Sequence, residues 1–263
     1  MAQSCMTFRI SDKEAGKQFE KAGVLLTTQT IQVGNRNMHF AKTGSDSLPT
    51  ILFVHGSPGS WNAFSRYMQD KDLLQKFRMI SVDRPGFGYS DYQKAEPMRE
   101  QSALISPLLE LWQNGKPFYL VGHSLGGPLI IQLYADNPQR VEALVLLAAS
   151  VDPAEEKKEI WRNMLDGPLL RYLLPGAFRP SNRELVYFKK DVHGLQELFQ
   201  KVRCRVIIIH GTKDSFVPVG NAAYAEKKLV NAASVKTRLI ENVNHFIPWN
   251  QYDLIRSELL QLY

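Results

Sequence analysis

Cysteine is nearly absent: Cys5 and Cys204 are the only two in 263 residues. Two thiols so far apart make no disulfide framework, and no Cys/His set has metal-ligand spacing. A chain of this length buries enough core to fold without staples. Cys204 stands at the start of an apolar run and reads as a small packed hydrophobe. Long apolar runs are missing as well. No stretch approaches the ~18 residues of a membrane span, and no signal peptide with a hydrophobic core is present. The net charge is +6, but the basic residues are scattered, with no run of five. That pattern reads as a solvated surface and argues against a nucleic-acid partner. Internal repeats and low-complexity segments are also lacking. These absences describe a cytoplasmic globular protein. The opening "MAQSC" keeps one alternative open, a membrane-anchored bacterial lipoprotein in which Cys5 is the remnant of a lipidation site. Oligomeric state is not legible.

Strands and helices alternate. Residues 12–22 read as a short polar helix, and "QTIQVGNRNMHFAKTG" as a hairpin. Apolar runs follow at "TILFVHG", "RMISVDRPG", "FYLVGHS", "ALVLLAAS", "RVIIIHGTKD" and "VKTRLIENVNH". Several are nearly continuous in Val, Ile and Leu, as strands covered on both faces are. Helical stretches lie around Trp61–Gln75, Met98–Trp112, Gly127–Asp136, Ala222–Val230 and Trp249–Leu262. The class is therefore α/β with a mainly parallel sheet.

About fifty residues after "ALVLLAAS" contain no clear strand. "DPAEEKKEIWRNML" opens with Asp152 as N-cap and Pro153 at the first helical position, and Ser181 and Glu184 have capping-box spacing. Residues 152–200 are expected to form a small helical cap. The sequence thus divides into an N-terminal extension (1–27), a core (28–151 and 201–263) and the cap (152–200).

Gly122-His123-Ser124-Leu125-Gly126 fits G-x-S-x-G between a strand and a helix. A serine on such a turn is pushed out above the sheet, at a helix end that favours negative charge. The bland alternative is a glycine-rich turn whose serine only caps. A serine nucleophile needs a base, and the base an orienting acid. Asp214 ends the strand in "IIIHGTKD" and His245 follows the strand in "IENVNH", both where open α/β sheets place ligand sites. "HGSPGS" offers the Ser57 backbone N–H as an oxyanion donor beside that of Leu125.

"HGSPGS", "DRPGFGYS", "GHSLGG", "GTKDSFVP" and "NHF" stand in the order of the signature blocks of the α/β-hydrolase superfamily, which the chain resembles from about residue 28 to its C-terminus. The resemblance implies an eight-stranded, mostly parallel sheet with the cap inserted between strands 6 and 7. It also implies a Ser124–His245–Asp214 triad, an oxyanion hole from the Ser57 and Leu125 amides, and no metal or cofactor. Asp83 and Arg84 are expected to brace the oxyanion loop, with His55, His123 and His210 structural. Two departures stand out. Asn244 occupies a place where the family often has Gly, and Asp152, after a strand end, is an alternate acid.

Relatives that open epoxides or remove halide carry Asp at the elbow; Ser124 directs the expectation to acyl transfer. The reading is a serine hydrolase of carboxylic esters acting through an acyl-enzyme on small to medium uncharged substrates. Alternatives using the same triad are a carbon–carbon bond hydrolase and a cofactor-free perhydrolase or haloperoxidase-like enzyme. An alternative of another class is a small-ligand receptor. Trp161, Leu165 and Leu169 of the cap, with Phe246 and Trp249, are expected to wall an apolar substrate pocket. A cap this small is expected to offer no broad apolar platform for a lipid interface.

Overall fold

The structure, a computed structural model, describes residues 6–156 and 159–263. Cys5 and the lipidation reading attached to it lie outside these residues. Eight strands form one sheet: β1 (Thr27–Val33), β2 (Arg36–Thr43), β3 (Thr50–Val54), β4 (Arg78–Val82), β5 (Phe118–His123), β6 (Ala143–Leu147), β7 (Arg205–Gly211) and β8 (Ser234–Ile240). Their order is β1-β2-β4-β3-β5-β6-β7-β8. β1 and β2 pair antiparallel across a two-residue turn, with Val33 opposite Arg36 and Gly34 at φ +58°. β2 meets β4 antiparallel, and every pairing from β4 to β8 is parallel.

The helices are α1 (Asp12–Lys21), α2 (Ser65–Met68), α3 (Lys71–Lys76), α4 (Met98–Leu111), α5 (Gly126–Asp136), α6 (Trp161–Leu165), α7 (Phe178–Phe199), α8 (Gly220–Lys228), α9 (Ile247–Asn250) and α10 (Tyr252–Leu260). The near-continuous apolar strands serve two cores at once. In β6, Leu144 and Leu146 face one core with α4, α5, α7 and α8, while Ala143, Val145 and Leu147 face the other with α1 and α10. Successive side chains point to opposite faces, so a strand buried on both sides must be apolar at every position. Cys204 packs in the first core, and burial pushes its thiol up to about 12.

Several expected elements differ. The single helix over Trp61–Gln75 is a 3₁₀ turn (Trp61–Phe64) followed by α2 and α3. Asp70 interrupts it by capping a new helix, accepting from the amides of Asp72 and Leu73 at 3.0 and 2.9 Å. The helix expected from Asp152 is a turn: Asp152 Oδ1 accepts from Ala154 N at 2.9 Å, and α6 begins only at Trp161. Ser181 and Glu184 do not form a capping box either. Both lie inside α7, on the buried face traced by Ser181, Glu184, Phe188, Val192, Leu195 and Phe199. The intervals of three and four residues are those of one helix face. The N-terminal extension is part of the fold, since Ala15 and Phe19 of α1 are buried in the second core.

Candidate active site

The turn from β5 into α5 holds Ser124 at φ +53°, in the left-handed region that costs a non-glycine residue about 1–2 kcal/mol. Its neighbours explain how the strain is held. Ser124 N donates to Leu147 O at 2.9 Å, and Ser124 O accepts from Gly127 N at 3.0 Å. A Cβ at Gly126 would run into the Val54 carbonyl, so only glycine lets α5 start this close to β3. The elbow therefore follows from three strands and a helix packed at one point.

Asp214, after β7, accepts from Phe216 N and Val217 N at 2.9 and 2.8 Å through Oδ1. Its other oxygen lies 2.6 Å from His245 Nδ1 and 3.5 Å from His210 Nε2. Burial alone would raise the Asp214 pKa; the hydrogen bonds from His210 and His245 outweigh it and hold the carboxyl well below the usual range. Asp214 is thus an anion at every working pH, with one oxygen committed to orienting His245. Asp152, the alternate acid, is committed to its own turn, and Asn221 Oδ1 accepts from its amide at 2.8 Å.

His123 stacks beside His245, with ring centroids 4.8 Å apart, and its Nε2 lies 3.1 Å from His245 O. Burial, then the neighbouring His245, lowers its pKa to about 3, so it stays neutral and braces the histidine loop. His210 contacts Val217 O at 2.9 Å and supports the acid loop. His55 accepts from Arg84 N through Nε2 at 3.0 Å, leaving Nδ1 to donate to Gly56 O at 2.6 Å. Asp83 accepts from Trp61 N and Tyr89 N at 2.7 and 2.8 Å. Together these groups shape the turn that carries Ser57. Ser57 and Leu125 line one cavity, and their amides donate to no backbone carbonyl among the described residues.

That cavity, about 780 Å³, has Ser124, His245, Ser57 and Leu125 in its lining. Phe246 and Trp249 line it, as does Phe216, whose ring lies 5.5 Å from that of His245. Trp161, Leu165 and Leu169 do not. The cap instead contributes Glu155, Glu156, Glu159, Arg162, Phe178 and Leu185 to the wall. The physical reason is the direction of α6: Arg162 lines the cavity, ion-paired with Glu159, while Trp161 and Leu169 are exposed and Leu165 is half-buried outside the lining. The expectation of an apolar cap wall is corrected accordingly.

Two contributors were not expected at the site from the sequence. Phe8, Arg9 and Ile10 line the cavity although they precede every recognisable motif. Phe8 packs edge-on against Phe178 at 5.6 Å, its carbonyl accepts from Ser60 Oγ at 2.6 Å, and Arg9 Nη1 donates to Gly88 O at 2.7 Å. The second is Glu184, in a buried ion pair with Arg84, whose Nη2 also donates to Gly56 O at 3.0 Å. α7 thereby grips the turn carrying Ser57, and Ser181 Oγ accepts from Ser57 Oγ at 3.0 Å. Removing one partner of a buried pair strands the other's charge, so Glu184→Ala should cost about 3–5 kcal/mol. Urea unfolding of the variant measures this; a loss below about 1 kcal/mol would mean the pair does not hold the cap.

Comparison with known proteins agrees with the architecture. Residues 49–185, a little over half the chain, match the family model described as alpha/beta hydrolase fold. Epoxide hydrolase 1 of Caenorhabditis elegans is 31% identical over 134 residues, covering 49% of this chain and 32% of that protein. The mitochondrial palmitoyl-protein thioesterase ABHD10 of Bos taurus is 32% identical over 210 residues, covering 75% and 67%. Among solved structures, 2-hydroxy-6-oxo-6-phenylhexa-2,4-dienoate hydrolase from Rhodococcus sp. strain RHA1 superposes with a TM-score of 0.70 at 17% identity, covering 90% of this chain and 98% of that one. This likeness shows the fold alone. The chain belongs to the α/β-hydrolase family, and it spans about a third of the length of the first curated relatives it matches.

Proposed function

We propose that the protein is a serine hydrolase of carboxylic esters. The observation that carries this reading is the 2.6 Å Asp214–His245 contact, with His245 and the strained Ser124 both in the lining of one cavity. Asp214 holds His245 with Nδ1–H toward the carboxylate, leaving Nε2 to take the Ser124 proton. Ser124 Oγ attacks the ester carbonyl, and the Ser57 and Leu125 amides stabilise the oxyanion. His245 protonates the departing alcohol, and water, activated by the same imidazole, releases the acid.

The cavity volume is within the range of small-molecule sites, roughly 300–1,000 Å³. Its aromatic wall from Phe8, Phe178, Phe216, Phe246 and Trp249 suits an apolar acyl or alcohol group, each buried CH₂ adding about 0.8 kcal/mol. Glu155 and Glu156 oppose a substrate anion there, Glu159 and Arg162 neutralise each other, and Arg9 is turned to the Gly88 carbonyl. Uncharged esters should therefore be preferred. The test is kcat/KM over p-nitrophenyl esters of increasing acyl length with one anionic ester included. Preference for the anionic ester would overturn the substrate assignment. Labelling of Ser124 by a fluorophosphonate separates an enzyme from a ligand receptor.

The pH profile gives a second check. Asp214 is held well below the usual carboxylate range and His123 is lowered to about 3, so both keep one charge state at working pH. A mechanism with a single general base needs that base unprotonated, so log kcat/KM should fall with a slope of one as pH drops. A slope of two would bring in another group.

A further inference from the structure

The outer cap segment is amphipathic the wrong way round. Its apolar side chains face solvent: Ile160, Met164, Leu169 and Leu173 are 75, 64, 82 and 71% exposed. Its charged side chains turn inward, with Glu159 paired to Arg162 and Asp166 to Arg183, all between 19 and 34% exposed. Surface segments normally do the reverse, and exposed apolar side chains grouped in one segment mark a binding surface. The expectation from its size that the cap offers no apolar platform is corrected by these four exposed side chains. Beside it, in and next to the Leu170–Leu173 turn, lies a recess of about 160 Å³ lined by Gln93, Asp166, Arg171, Tyr172, Arg179 and Arg183. Three guanidiniums face one carboxylate there. Arg183 takes that carboxylate, and no carboxylate among the described residues pairs with Arg171 or Arg179. Arg179 Nε donates to Arg171 O at 3.1 Å and Nη1 to Gln93 Oε1 at 2.7 Å, but its buried Nη2 has no partner among the described residues. The Tyr172 ring lies between cations, 5.1 Å from the Arg171 guanidinium and 4.8 Å from that of Arg179.

We propose that this face of the cap docks on an anionic lipid surface, with Ile160, Met164, Leu169 and Leu173 entering the acyl boundary and the arginine recess holding a phosphate-bearing headgroup. The charge pattern selects this occupant. Exposed apolar residues beside an arginine-lined recess, with Trp161 and Tyr172 exposed in the same segment, match the layering of a lipid–water interface. A second copy of the chain would set one arginine recess against another across a two-fold axis, and like charges oppose that contact. Phe178 joins the outward segment to the cavity wall, so a docked cap leads toward the lining that holds Ser124. The face is separate from the candidate active site, and the proposal stands whether or not the ester reading does.

The test is vesicle flotation of the full chain, using phosphatidylcholine alone and phosphatidylcholine with phosphatidylglycerol. The expected result is binding to the anionic vesicles, weakened by salt. Arg171→Gln should lower the affinity about fivefold, the effect of one charge near an anionic surface. Met164→Ser with Leu173→Ser should lower it by roughly tenfold or more, from the lost apolar burial. Both variants should keep the wild-type melting temperature, because Met164 and Leu173 are exposed and Arg171 is paired with no carboxylate among the described residues. Absent or charge-independent binding, or binding that the serine variant retains, would overturn the proposal. So would a solution dimer broken by the same substitutions, which makes a second copy the occupant. Inorganic phosphate raising the melting temperature through Arg171, without vesicle binding, would assign the recess to a soluble phosphoanion instead and likewise defeat it.

Discussion

Ser124→Ala should reduce ester hydrolysis by on the order of 10⁴-fold or more, leaving only what the oxyanion donors and substrate binding supply. Stability should change little. Ser124 sits at φ +53°, and alanine carries the same Cβ into the same strained region. The backbone bonds that hold the elbow, from Ser124 N to Leu147 O and from Gly127 N to Ser124 O, do not involve the side chain. The measurement pairs steady-state turnover of a short p-nitrophenyl ester with a thermal melt, on protein from a host without background esterase. Near-wild-type turnover in a folded variant would remove Ser124 from the chemistry.

Asp214→Asn should lower kcat by several orders of magnitude, about 10⁴-fold where a carboxylate only orients the base. An amide at this position can present its NH₂ to His245 Nδ1, and the imidazole then carries its proton on Nε2, where it cannot accept from Ser124. The same substitution leaves Oδ1 able to accept from Phe216 N and Val217 N, so the loop should persist. Asp152→Asn should change kcat by less than a few-fold, because that side chain holds only a local turn at Ala154. Comparing the two variants on one substrate decides the acid. The reverse ranking would move it to the end of β6.

The strands and the elbow were legible because their signals are local. A run such as Ala143–Leu147 is apolar at every position only when both faces are covered. Glycines spaced about Ser124 between a strand and a helix state the turn directly. Asp214 and His245 were legible as residues after strand ends. Their 2.6 Å contact is a property of β7 and β8 lying parallel and adjacent. The cap was read less well, for a physical reason. Hydrophobic periodicity says that one face of a segment differs from the other, not which face meets the protein. Trp161, Leu165 and Leu169 were assigned inward on the assumption that apolar means buried, yet Glu159 and Arg162 line the cavity, Trp161 and Leu169 are exposed, and Leu165 is half-buried outside the lining. Ser181 and Glu184 matched a capping box, but Arg84, 100 residues earlier in the chain, claims Glu184 for a buried pair inside α7.

The sequence by itself determined the sheet, its mainly parallel class and the three residues that form the candidate triad, because period, glycine placement and strand ends are properties of neighbours along the chain. Only the tertiary structure decided what surrounds them. The N-terminal stretch Phe8–Ile10 closes one wall of the cavity through contacts with Ser60, Gly88 and Phe178 that no local pattern encodes. The cap's orientation is likewise set by long-range pairs that fix α7, Arg84 with Glu184 and Ser57 with Ser181, and the segment before it presents Glu159 and Arg162 to the cavity and Ile160, Met164, Leu169 and Leu173 to solvent.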